Sequence, residues 1–158
     1  MSGHVNPRKQ GHGSDWLAVA VVLSSLLACK QEKPIVDKPL ADVTQEDLKA
    51  AVKTLGLNYQ TCQSFKRGGS SNFGCTGDKE SDKGKAGSDG KKRVEVTLTV
   101  HTIPADQYAV EQSRLRSKGA IEEGGGRIFA VTVEPEGAED PKSYLKKVRG
   151  KKLAIRAW

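Results

Sequence analysis

Hydrophobic positions along this chain form one dense block and several periodic ones. The block is "WLAVAVVLSSLL", residues 16–27, which ends at Ala28 and Cys29 before the chain turns charged. Residues 17–23 offer no polar position at a 3.6-residue period, so the run lacks the wet side of a surface helix. Leu48, Ala51, Val52 and Leu55 then make one apolar stripe at helical spacing. Thr44 stands before it as a cap with Asp47 three residues on, Val43 can staple onto Leu48, and Gly56 ends it, which predicts a helix over 43–56. Tyr59, Thr61 and Phe65 share one phase of a strand over 58–66.

From residue 92 the alternation is strict. Val94, Val96, Leu98 and Val100 interleave with Glu95, Thr97, Thr99 and His101, the pattern of a half-buried strand over 92–103. Residues 104–118 predict a helix with a thin apolar side of Ala105, Tyr108, Ala109 and Leu115. Residues 121–123 and 127–134, joined by Gly124-Gly125-Gly126, predict a hairpin. Asp140 caps a helix with Pro141 in its first position, Tyr144, Leu145 and Val148 inward and Gly150 at its end, and 152–158 predicts a last strand.

The expected class is α+β. Residues 92–158 read as a ferredoxin-like β-α-β-β-α-β arrangement, preceded by an extra helix and strand. The strand 58–66 is expected to pair with 92–103. Between them, 67–91 is Gly-rich and too polar to pack, and predicts a mobile loop. The stretch "KQEKPIVDKPL" carries two prolines and alternating charge, as an extended tether would.

Composition changes the picture at the N-terminus. A chain of 158 residues with 36% hydrophobic and 28% charged content suits one globular domain, here about 42–158. Residues 16–28 are too few to cross a bilayer, which takes roughly 20 apolar residues. Arg8 and Lys9, the apolar run and Ala28 instead match the three regions of a secretory signal. The junction Leu26-Leu27-Ala28-Cys29 resembles the lipobox of bacterial lipoproteins. That resemblance implies cleavage between Ala28 and Cys29, a diacylglycerol on the Cys29 thiol and acylation of the new amine. It divides the chain into a signal peptide (1–28), a lipid-anchored tether (29–41) and the domain (42–158). It also implies the membrane as partner through acyl chains, with the outer membrane preferred over the inner because Lys30 rather than Asp follows the cysteine.

Three cysteines are an awkward number for an exported chain. Lipidation of Cys29 leaves Cys62 and Cys75 as a pair in an oxidising compartment, where a disulfide is expected in preference to free thiols. The two, with His101 as the single histidine left after cleavage, do not make a four-ligand zinc set, and no metal or cofactor is expected.

Other candidate chemistry is thin. Asp78, Glu80, Asp82 and Asp89 stand at the first, third, fifth and twelfth places of an EF-hand-like spacing, but Lys83 and Asp89 replace the required Gly and Glu. The glycines of "KRGGSSNFG" and "EEGGGR" lack the Gly-Lys-Ser/Thr of a phosphate loop. His101 falls on the polar phase of its strand and is expected at the surface. Glu122 and Glu123 point to opposite sides of theirs. The expectation is therefore a non-catalytic binding or structural domain, with a periplasmic enzyme of unrecognised active site as the alternative. A concave pocket uniting His101 with a carboxylate would favour that alternative.

The formal charge of +7 falls by one when residues 1–28 are removed. After Asp140 no acidic residue follows, and Lys142, Lys146, Lys147, Arg149, Lys151 and Lys152 make a basic region. It would suit an envelope protein, an anionic polymer or anionic lipid, each basic group near such lipid being worth about 1 kcal/mol. The plainer reading is a solubilising helix face beside a lysine-guarded sheet edge. With 5% aromatic residues and an export signal, nucleic acid is not an expected partner.

Overall fold

The computed structural model describes residues 32–150. Within them the chain is α+β: one five-stranded antiparallel sheet and three α-helices. The elements are α1 (Gln45–Thr54), β1 (Asn58–Arg67), β2 (Ser70–Ala86), β3 (Lys92–Thr102), α2 (Tyr108–Lys118), β4 (Gly119–Gly124), β5 (Arg127–Glu134) and α3 (Pro141–Arg149). The strands lie in the order β1-β2-β3-β5-β4.

Alternation sorts the sheet into two faces. Val94, Val96, Leu98 and Val100 of β3 share one face with Phe129, Val131 and Val133 of β5 and with Cys75 of β2. α1 and α3 cover that face, α1 packing on β1–β3 and α3 on β4 and β5. The other face carries Ile128, Ala130 and Ile121, on which α2 sets Leu115 and Tyr108. α2 packs chiefly on the β4–β5 half and borders His101 of β3, so the part of this second face around Thr61, Thr76 and Thr97 is left open.

α1 forms as its cap dictates. Asp47 donates its backbone N–H to Thr44 Oγ1 and accepts from the Thr44 N–H at 2.9 Å, a reciprocal box that satisfies two orphan donors. Leu48, Ala51 and Val52 are fully buried. α3 likewise begins at Asp140, whose carboxylate accepts from the Lys142 N–H at 3.0 Å.

The largest correction concerns 67–91. Residues Ser70–Ala86 form β2, with Gly68 and Gly69 at φ 55° and 86° making the tight turn from β1. β1 therefore pairs with β2, and β2 with β3, instead of β1 with 92–103. Polarity did not prevent packing because β2 meets α1 through a gap in its own side chains. A Cβ on Gly77 would lie 2.5 Å from Val52 Cγ1 and 2.8 Å from Leu57 Cβ.

The ferredoxin-like order expected over 92–158 is not confirmed. Both edges of β3 are taken, by β2 and β5, and α2 and α3 lie on opposite faces of the sheet. The last expected strand, 152–158, lies outside the described residues.

Part of the segment expected to be an extended tether is packed on the domain. The backbone N–H groups of Ile35 and Val36 donate to the carbonyls of Lys147 and Val148 at 3.1 and 2.9 Å, fastening this segment to the end of α3. Val36 is buried beside the end of α3 and Leu40 beside the β4–β5 hairpin, where apolar side chains lower their free energy by leaving water. Arg149 completes the attachment. It pairs with Glu122 through two hydrogen bonds, at 2.6 and 3.0 Å, and donates to the Val36 carbonyl at 2.7 Å.

Candidate functional site

The disulfide Cys62–Cys75 is present and joins directly opposed residues of β1 and β2 on the helix-covered side. Cys29, Ala28 and the signal segment lie outside the described residues, as do Lys151 and Lys152. Lys142, Lys146 and Lys147 are exposed on α3. Arg149 leaves the expected basic surface: its side chain is only 6% exposed because Glu122 and the Val36 carbonyl occupy its donors.

The four acidic residues of the EF-hand-like spacing do not converge. Glu80 pairs with Lys91 at 2.6 Å, Asp89 with Arg93 at 2.7 Å, and Asp78 meets Arg93 at 3.4 Å. Among the described residues no three His, Cys, Asp or Glu side chains stand where they could share a metal.

His101, expected at the surface, is instead buried. It lies on the second face, as its phase requires, yet it is 6% exposed because α2 packs beside it. Burial, and secondarily the Arg114 cation, hold its pKa down at about 4, so the ring is neutral near pH 7. It helps line a cavity of about 180 Å³ between α2 and the hairpin β1–β2. Opposite it in the β2–β3 register is Asn72, 4% exposed, whose Oδ1 has no hydrogen-bond partner. No side-chain hydrogen bond engages His101 among the described residues.

The charged rim of this cavity is Arg67, Glu111, Arg114 and Lys118. Glu111 accepts from Arg114 Nε and Nη2 at 2.9 and 2.6 Å, and that bonding holds its carboxyl below the usual carboxylate range. Arg67 and Lys118 have no ion-pair partner among the described residues, leaving the rim net positive.

A second concavity of about 320 Å³ adjoins the first across the open strands. The two share Phe65 and Thr99. The floor of the second is a strip of amides and hydroxyls: Gln60, Thr61, Gln63, Thr76 and Thr97. Phe65 is 45% exposed beside this strip. Gln60 joins Thr61 there because the register shifts between Tyr59 and Thr61.

His101 and Glu111 do share one cavity, the arrangement that would favour an enzyme. Glu111, however, is bonded to Arg114 and not to the imidazole. Ser70, buried in the same wall, makes no hydrogen bond to His101 that would activate its hydroxyl. A base with a pKa near 4 is also poorly matched to proton abstraction near pH 7.

Searches of protein families, characterised proteins and solved structures return no significant match to this chain. The functional reading therefore rests on the residues themselves.

Proposed function

We propose that this chain is a bacterial envelope lipoprotein whose domain is a non-catalytic binding module, with the open half of the sheet as its contact face. Its address is the outer membrane through acylated Cys29, on the strength of the junction Leu26-Leu27-Ala28-Cys29 and of Lys30 after it. At about 0.8 kcal/mol per buried methylene, two or three acyl chains hold it there stably. A disulfide in the domain accords with an oxidising compartment. Lys142, Lys146 and Lys147 supply a secondary contact for anionic headgroups or another envelope polyanion.

The observation that carries the binding reading is a cavity with a net positive rim of Arg67, Glu111, Arg114 and Lys118 that adjoins an open strip of amides and hydroxyls. Cations and amides left without protein partners are free to make charge-assisted and neutral hydrogen bonds to a ligand. Photo-crosslinkers placed at Thr97 on the open face and at Lys53 on exposed α1 test it in intact cells. Adducts from Thr97 alone are expected, whereas equal labelling from both positions or none from Thr97 would sink the reading.

A further inference from the structure

We infer that the joined concavities take a sugar acid, one carboxylate on a hydroxyl-bearing ring, with the carboxylate held by the Arg67 and Lys118 rim. This rests on the open face being the binding site. Two features fix the orientation. Arg67 and Lys118, without ion-pair partners among the described residues, stand over the cavity that holds Asn72 and His101. Glu95 lines the other concavity and repels a second negative charge there.

The body of the ligand follows from the strip between those ends. A purely apolar acid would leave Gln60, Gln63 and Thr61 facing carbon, and those groups would lose hydrogen bonds to water without replacement. A bare phosphate would satisfy the rim and leave the strip unused. A ring with hydroxyls on its edges and carbon–hydrogen bonds on its face matches both the strip and the exposed Phe65 ring, which lines both concavities. At about 180 Å³ the charged cavity is smaller than the roughly 300–1,000 Å³ of sites for drug-sized molecules, so a carboxylate end and not a whole ring enters it.

NMR titration of the full acylated chain in detergent micelles tests this with four probes: glucuronate, glucose, benzoate and inorganic phosphate. Glucuronate is expected to move the His101 ring and Thr97 methyl signals along one saturable curve, with a Kd of about 1 mM. Glucose, benzoate and phosphate are each expected to bind at least about tenfold more weakly. Arg67→Gln should weaken glucuronate about tenfold and leave glucose unchanged, while Gln63→Ala should weaken glucuronate and leave benzoate unchanged. Both substitutions are at exposed positions of β1, so the fold is preserved. Benzoate or phosphate equal to glucuronate overturns the sugar-acid class while keeping the face as a binding site. No saturable shift from any probe overturns both.

Discussion

Burial keeps the His101 imidazole neutral down to about pH 4, against an ordinary value of 6.5. Between those values the unfolded chain takes up a proton that the folded chain refuses. Stability contributed by this residue is thus complete above pH 6.5, declines as pH falls through the window, and is gone below about 4. The loss reaches about 3 kcal/mol, and urea midpoints measured from pH 7 to 4 should show it. Asp47 and Glu111, whose carboxyls sit low through their bonds to Lys38 and Arg114, lose stability in the same direction on acidification. Comparison with His101→Gln isolates the imidazole, because that variant should lack the slope between pH 6.5 and about 4.5. A second residue-scale expectation concerns Arg149, whose partner Glu122 is 4% exposed. Arg149→Ala leaves that carboxylate buried and unpaired, at a cost of about 3–5 kcal/mol. Amide exchange at Ile35 and Val36 should accelerate in that variant, since the bond from Arg149 to the Val36 carbonyl goes with it.

Among the elements, β2 shows why part of the fold could not be read ahead. α1, α3 and the β4–β5 hairpin announce themselves through Thr44, Asp140 and the positive-φ Gly125 and Gly126, local signals that need no tertiary context. β2 does not, because its packed side offers Cys75 and Gly77 where a strand would usually show Val or Ile, and Val52 of α1 fills the space a side chain would take. Gly77→Val should therefore destabilise the domain by about 1–3 kcal/mol or more, as overpacking does, in a chemical denaturation series. Reduction of Cys62–Cys75, separated by 13 residues, should lower stability by about 3 kcal/mol, read as a shift of the urea midpoint with and without reductant. The cavity was hidden for a related reason. The phase of His101 is visible in β3, but whether its side is wet depends on α2, whose apolar stripe is nearly absent from the sequence and reduces to Leu115 and Tyr108 against the sheet.

For the whole molecule, the expected anchor makes a direct prediction. Mass spectrometry of membrane-extracted protein should find a diacylated or triacylated Cys29 at the N-terminus, and Cys29→Ser should block processing or release the chain. Intact residues 16–28 in the mature protein would refute it. The fastening of Ile35 and Val36 to α3 then sets a length. Only residues 30–34 remain between an acylated Cys29 and the body of the domain, a reach of about 20 Å at full extension. The domain would ride against the headgroups with Lys142, Lys146 and Lys147 on the helix nearest its leash, and its ligands would be drawn from the thin layer of periplasm that touches the bilayer. A Gly/Ser insert of about 20 residues after Lys30 would free it to sample deeper layers, lowering the quenching of a fluorophore on α3 by spin-labelled lipid.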